Sequence, residues 1–402
     1  MFRAVFLLSL SFCTIAPAAD WSQWRGPNRD GKSEETGLLA EWPADGPHLV
    51  WKVQGLGEGY SSFAVVGKRL YTQGQTGEEE FVIALDVATG KQVWKTPTGH
   101  ALGNDKGNGP RGTPTVDGNR LYAVSGDGML VCLETETGKK VWGTSFVADF
   151  KGKTPHWGYS ESPFVEGDRV IVTPGGPGAS IVALNKTTGA VVWKSQSDGA
   201  AYSSAVPFDS GGTHGMAILT ASAAVGLNMK NGELLWRYAT VANRTANIAT
   251  PIVSQDHIFV SSAYNTGCAL LKLTAQGGSV DASEVYFNKD MQNHYTTSVL
   301  VGDYVYGFSA SILTAMELMT GKVAWKDRSV GKGNCIYAEQ RLYCMGEGGI
   351  VGLIEPSPTA YKEKSRFQIP RGENPTWTPP VVANGRLYLR EQDNLYSYDI
   401  KR

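Results

Sequence analysis

The sequence predicts an all-β fold: an eight-bladed β-propeller with a ring closed by an N-terminal strand that completes the last blade. A tryptophan recurs at a domain-repeat period as Trp51, Trp94, Trp142, Trp193, Trp236 and Trp325, and five of these six follow a tight turn carrying Gly. A second, different hairpin recurs eight times between them. The chain also stops one strand short of a full last repeat.

The clearest Trp hairpin runs from Ala84 to Trp94, an alternating strand that turns at Thr89-Gly90 and returns to Trp94. The Gly supplies the positive φ of a short turn, and the acidic or amide residue ahead of it can bond turn amides. Glu134, Asn185, Asn228 and Glu317 stand in the other copies where Asp86 stands here. The second hairpin, often closing on Arg-Leu-Tyr, appears at Ser62 to Tyr71, Thr113 to Tyr122, Ser162 to Ile171 and Ser204 to Ile218. It appears again at Thr250 to Phe259, Ser298 to Tyr306, Asn334 to Tyr343 and Thr378 to Tyr388. A spacing of roughly 45 residues is the length of one four-stranded blade. Tyr286 is expected to replace the Trp of the fifth blade and Phe367 that of the seventh. Leu49 to Val53 is expected to supply the outer strand missing after Leu395 to Ile400, which closes the ring and removes open sheet edges.

With 402 residues and no linker between repeats, one propeller over 48–402 is the expected domain. The 48 glycines suit a turn-rich β chain. Lys and Arg total 37 against 38 Asp and Glu, which offers no basic stripe for nucleic acid. Residues 1–18 read as a signal peptide: Arg3, an apolar run, and Ala16-Pro17-Ala18 as the cleavage site. That leaves an extension over 19–47, with packing on the outside or bottom of the ring as its default place. No stretch is long enough to span a membrane, so a periplasmic or secreted monomer is expected. The mature chain keeps Cys132, Cys268, Cys335 and Cys344 without zinc spacing. A turn placed as at Asp117-Gly118 would set Cys335 opposite Leu342 and make Cys344 only its diagonal neighbour, so a bridge is uncertain.

Propeller function concentrates on the face formed by the loops leading into the innermost strands. Arg111, His156, Trp157, Glu161, Tyr202, Arg244, Asn247, His294, Tyr295, Lys332, Arg371 and Trp377 fall there. Cations with aromatic plates suit a planar anionic ligand, because Arg pairs carboxylates and aromatic rings stack. No GxSxG, HExxH, Walker or dinucleotide-binding fingerprint is present.

The repeated Asp-x-x-Thr-Gly-x-x-x-Trp frame, over Leu49 to Ile400, resembles the tryptophan-docking repeat of the pyrroloquinoline quinone (PQQ) dehydrogenase superfamily. Trp21 to Gly31 resembles the leader of exported PQQ-like repeat proteins. The resemblance implies a quinone on the propeller axis between a Trp and a disulfide of adjacent cysteines, with calcium held by Glu and Asn, an Asp base, and Arg or Lys at the quinone oxygens. Mapped onto this chain, it offers Glu161 and Asn247 for calcium and Lys332 or Arg244 for the quinone, within a wider binding set of Arg111, His156, Trp157, Tyr202, Arg371 and Trp377. Asp290 and His294 are weak substitutes for the base. Adjacent cysteines and a Trp ahead of the fourth blade are absent. The same repeat resembles the scaffold lipoprotein of the outer-membrane β-barrel assembly machinery, which binds protein partners. The expectation is an exported binding or scaffold protein for a protein partner or small anionic ligand, using Arg111, Glu161, Arg244 and Arg371. The alternatives are a PQQ- and calcium-dependent oxidoreductase for an alcohol or sugar, and a carbohydrate-binding propeller suggested by Trp157, Tyr202 and Trp377.

Overall fold

Eight antiparallel sheets stand around one axis in the computed structural model, which describes residues 20–402; the proposed signal peptide lies outside them. Blade 1 is typical, with strands Ala64–Val66, Arg69–Thr76, Glu79–Asp86 and Gln92–His100 from the axis outward. Its two middle strands are nearly continuous buried runs, because neighbouring blades cover both faces, whereas the outer strand alternates between buried and exposed. The last blade pairs Asn394–Asp399 with His48–Val53, so the N-terminal strand closes the ring as expected.

Most of the recurring tryptophans latch their blade to the next; the Trp236 indole N–H is buried without a partner. Trp51, Trp94, Trp142 and Trp193 donate their indole N–H to the carbonyls of Val87, Thr135, Lys186 and Met229 at 2.9, 2.9, 3.1 and 3.2 Å. Each ring lies under the turn glycine of the following blade. A Cβ on Gly138 or Gly232 would come within 2.5 Å of the indole, and both residues hold φ near +70° (69° and 73°), so shape and backbone both require Gly. Tyr286 takes this role in blade 5, donating to the Leu318 carbonyl at 2.8 Å.

Blade 7 is latched differently. Its register puts Ser365, not Phe367, opposite Leu353, the step that holds Trp in other blades. Trp42 arrives from the extension to fill the gap, with its amide bonded to Ser365 Oγ at 2.9 Å. Its ring sits 5.8 Å from Tyr343 and matches the Tyr71–Trp94 pair at 5.8 Å. Phe367, two residues further on, packs against Trp42 at 5.3 Å and lies under Gly46 as the indoles lie under their turn glycines.

The first part of the extension contradicts its default placement. Residues 20–33 enter the central channel and touch all eight blades. Trp21 bridges Val65, and the Ser22 carbonyl accepts from the Val116 amide. Arg29 donates to the carbonyls of Ser162, Pro163 and Ala205. Trp24 reaches Thr250, Arg25 bonds the carbonyls of Thr297 and Ser298, and Lys32–Ser33 pairs in parallel with Tyr337 and Ala338. Ser33 Oγ donates to the Val382 carbonyl. This segment is a plug. Beyond it the chain runs along the ring, where the Glu35 carboxylate accepts from the amides of Asn384 and Gly385.

The hairpin of Gly333–Ala338 and Arg341–Gly346 turns one residue later than the sequence suggested. Its loop is Glu339-Gln340, and Cys335 therefore faces Cys344 directly instead of Leu342. All four described cysteines are buried and free.

Candidate functional site: an aromatic cavity above the plug

A cavity of about 370 Å³ opens over the plug, with Trp24 among its lining residues. The Trp24 indole N–H is fixed on Thr250 Oγ1 at 3.0 Å.

One wall is a belt of three rings capped by cations. Tyr60 stacks on Trp377 at 4.9 Å, and Trp377 on Tyr295 at 5.4 Å. Arg111 lies 5.1 Å over Tyr60 at one end, and Lys332 lies 5.0 Å over Tyr295 at the other. Such contacts attract the cation to the negative ring face and hold the belt together. Trp377 is pinned further by its indole N–H, which donates to Glu347 Oε1 at 2.7 Å, the same oxygen that Lys332 Nζ approaches at 3.1 Å. The opposite side is built from Trp157 against Tyr202 at 5.7 Å and Tyr264 against His294 at 5.1 Å.

The charge inside is modest. Arg111 spends two donors on the carbonyls of Gly107 and Gly109, at 2.9 and 3.0 Å, and burial lowers its pKa. Burial, reinforced by Lys332, pushes His294 down to about 4, so its imidazole is neutral at physiological pH. Burial raises Tyr60 and Tyr202, and holds the Tyr295 phenol well above its usual range. Among the described lining residues none is Asp, Glu or Cys, so the walls offer stacking, cationic charge and neutral hydrogen-bonding groups but no carboxylate base.

Of the residues singled out from sequence, the structure gathers Arg111, Trp157, Tyr202, His294, Tyr295, Lys332 and Trp377 around this cavity. His156 is exposed beside it, its ring edge-on to Trp157 at 4.8 Å and 3.9 Å from Asp105. Arg244 and Arg371 are exposed and lie outside the lining. Asp290 forms an exposed ion pair with Lys326 at 2.9 Å. Glu161 is buried away from the cavity, accepting the Thr173 amide at 2.5 Å; burial raises its pKa to about 7, with Arg29 opposing that shift.

Asn247 is likewise committed. Its amide donates to the carbonyls of Thr220, Ala221 and Asn243, and its oxygen accepts from the Asn243 amide and Ser262. Glu161 and Asn247 thus serve mainly backbone groups of neighbouring loops, and among the described residues no cluster of three His, Cys, Asp or Glu side chains gathers. This donor set does not fit calcium, which takes six to eight oxygens.

Sequence reasoning missed Trp24, Tyr60, Lys106 and Tyr264. For Tyr60 a signal existed: Tyr60-Ser61-Ser62 repeats the Tyr202-Ser203-Ser204 motif ahead of an innermost strand. Trp24 gave none, because nothing local places it on the axis.

A family model described as outer membrane protein assembly factor BamB matches residues 78–327. The chain belongs to this family. Its relatives include the outer membrane protein assembly factor BamB of Yersinia pestis, 25% identical over 75% of this chain and 76% of that protein. The Escherichia coli (strain K12) protein of the same name is 24% identical over 75% of this chain and 76% of its own length. Among solved structures, BamB from Moraxella catarrhalis superposes with a TM-score of 0.62 at 16% identity, covering 88% of this chain and 98% of that one. A europium-containing methanol dehydrogenase superposes at 0.71 with 10% identity, covering 94% and 90%. At these identities the superpositions establish the shared propeller fold alone.

Proposed function

We propose that this BamB-family propeller is an exported binding protein that works as a docking scaffold, receiving a group of its partner in the aromatic cavity above the plug. The observation that carries this reading is the cavity itself: seven aromatic residues, including Trp24, line it together with Arg111 and Lys332, and no carboxylate base accompanies them. Aromatic and Arg-rich pockets are the usual anchors of protein interfaces. Export is supported by the leader-like residues 1–18 and by the outer-membrane assembly role in the relatives' names.

The test is photo-cross-linking in cells. A benzophenone amino acid is placed at Tyr264, 40% exposed at the cavity, or at Val191, 48% exposed on an outer strand. The reading expects one discrete cell-envelope adduct from position 264 that is lost on Trp377→Ala. Identical adducts from both positions, or none from 264, would sink it.

The second reading is a quinoprotein oxidoreductase, favoured by one observation: flat aromatic walls and three cations, Lys106, Arg111 and Lys332, suit a planar polyanion such as PQQ. When bound, that quinone would supply two-electron oxidation of an alcohol or sugar. Titration with PQQ, with and without calcium, separates the readings. Stoichiometric quenching of tryptophan fluorescence together with dye reduction would replace the scaffold reading; a flat titration would leave it standing.

A further inference from the structure

The Cys335/Cys344 hairpin has a geometry that the sequence alone misplaced. Glu339 and Gln340 both hold positive φ, 36° and 60°, which is the two-residue turn whose twist matches paired strands. In such a hairpin the closing pair, Ala338 and Arg341, exchanges both backbone hydrogen bonds, and bonded and non-bonded pairs then alternate along the ladder. Tyr337 with Leu342 is therefore non-bonded, Ile336 with Tyr343 bonded, and Cys335 with Cys344 non-bonded. Non-bonded pairs have the closer approach, about 4.5 Å between Cα atoms, with side chains on the same face. That lies inside the span of about 4.4–6.8 Å that a disulfide bridges without backbone movement.

The surroundings agree. Both side chains point into the core between blades 6 and 7, with Val299, Tyr306 and Leu313, and Cys335 Sγ sits 3.7 Å from the Tyr306 carbonyl. No third metal-binding side chain joins the pair among the described residues.

We infer that Cys335 and Cys344 are joined by a cross-strand disulfide in the exported protein. This rests on the export reading for its oxidising compartment. Each thiol loses its proton, the pair gives up two electrons, and one S–S bond forms; a disulfide-bearing thiol oxidase of that compartment accepts the electrons and is reduced to its dithiol. The step belongs to folding. Burial holds the Cys344 thiol well above the usual thiol range, so the finished ring offers no thiolate for exchange, and the bond forms after the hairpin but before blade 6 seats against it. Once made, the bond is shielded by the same packing. It staples the hairpin whose first strand carries the plug residues Lys32–Ser33.

The full chain is expressed with its own N-terminus, cells are fractionated, and the exported fraction is denatured in iodoacetamide without reductant. The expected result is two alkylated cysteines, Cys132 and Cys268, and one linked peptide pair containing Cys335 and Cys344. Four alkylated cysteines in the exported fraction overturn the inference. Fractionation scores export separately: if the protein stays in the cytoplasm, the export reading fails, and the full chain is refolded from denaturant in a glutathione redox buffer. There, a linked pair supports the geometry and five free thiols, Cys13 included, refute it. A link between any other two cysteines overturns the inference in either arm.

Discussion

Replacing Arg29 by methionine tests whether the plug is a structural member of the ring. The guanidinium is wholly buried and makes four hydrogen bonds, through Nε to the Ala205 carbonyl at 2.7 Å, through Nη1 to Gln23 and Pro163 at 2.8 and 3.2 Å, and through Nη2 to the Ser162 carbonyl at 3.0 Å. It also lies 5.2 Å over the Phe164 ring. Burial lowers its pKa to about 9, so it stays charged at pH 8 with Glu161 as its electrostatic partner. Met keeps the apolar stem but strands three carbonyls and leaves Glu161 without its cation. Each buried carbonyl left without its donor costs about 1–3 kcal/mol, so the three together cost about 3–5 kcal/mol even toward the low end of that range. Urea unfolding at pH 8, followed by tryptophan fluorescence, should show a loss of that size from the midpoint shift and slope. Adding Glu161→Gln should cost less in the Arg29→Met background than in the wild type, with a coupling above about 1 kcal/mol. A loss below about 1 kcal/mol, or additivity within about 0.5 kcal/mol, would refute the plug as a buried, charge-coupled element.

Three other outcomes are expected. Glu80 is buried, accepts the Gly126 amide at 2.6 Å, and has its pKa raised to about 7, first by burial and then by Asp127. Its native form holds the proton more tightly than the unfolded chain, so its contribution is fully present below about 4.5 and is lost as pH rises through about 7, by about 3 kcal/mol. Glu80→Gln should flatten the midpoint-versus-pH curve in that window, leaving the slope due to Glu161; an unchanged curve would contradict this. His294 should show no imidazole titration by NMR between pH 5 and 8, and a midpoint near its ordinary value would mean that the cavity wall is wet. Trp42→Ala should lower stability by about 3–5 kcal/mol, as loss of a core aromatic does, and a calorimetric loss under about 1 kcal/mol would deny Trp42 its latch role.

The blades were readable because each is a local event: a hairpin whose turn glycine, alternation and Trp lie within a dozen residues. Even the closing strand, His48–Val53, could be inferred by counting strands. What is not legible in the sequence depends on distance. Trp42 supplies a latch for Tyr343 without sharing the repeat frame, so in the sequence Phe367 alone stands where the blade 7 substitute is expected. The plug has no periodicity at all; Arg25 meets Ser298 across 273 residues of sequence. The cavity was half legible for the same reason. Arg111, Lys332 and Trp377 sit in loops whose position follows from the blade plan, whereas Glu161 and Asn247, from similar loops, turn inward to satisfy backbone amides and carbonyls. Loop position can be read from sequence, but side-chain direction within a loop is decided by which buried polar groups need partners.

The plug has a consequence for the order of assembly. Residues 20–33 are synthesised well before the blades that hold them, and Ser33 finds its partner Val382 only 349 residues later. At roughly 5–20 residues per second, translation separates the two by tens of seconds. Throughout that interval Trp21, Trp24 and Arg29 lack the sites that bury them, and the strand that closes the ring has no last blade to join. Contacts of such sequence separation slow folding, because chain closure must precede any gain from them. The nascent chain therefore carries its axle before it has a wheel, and its blades must gather around a segment that was waiting from the start.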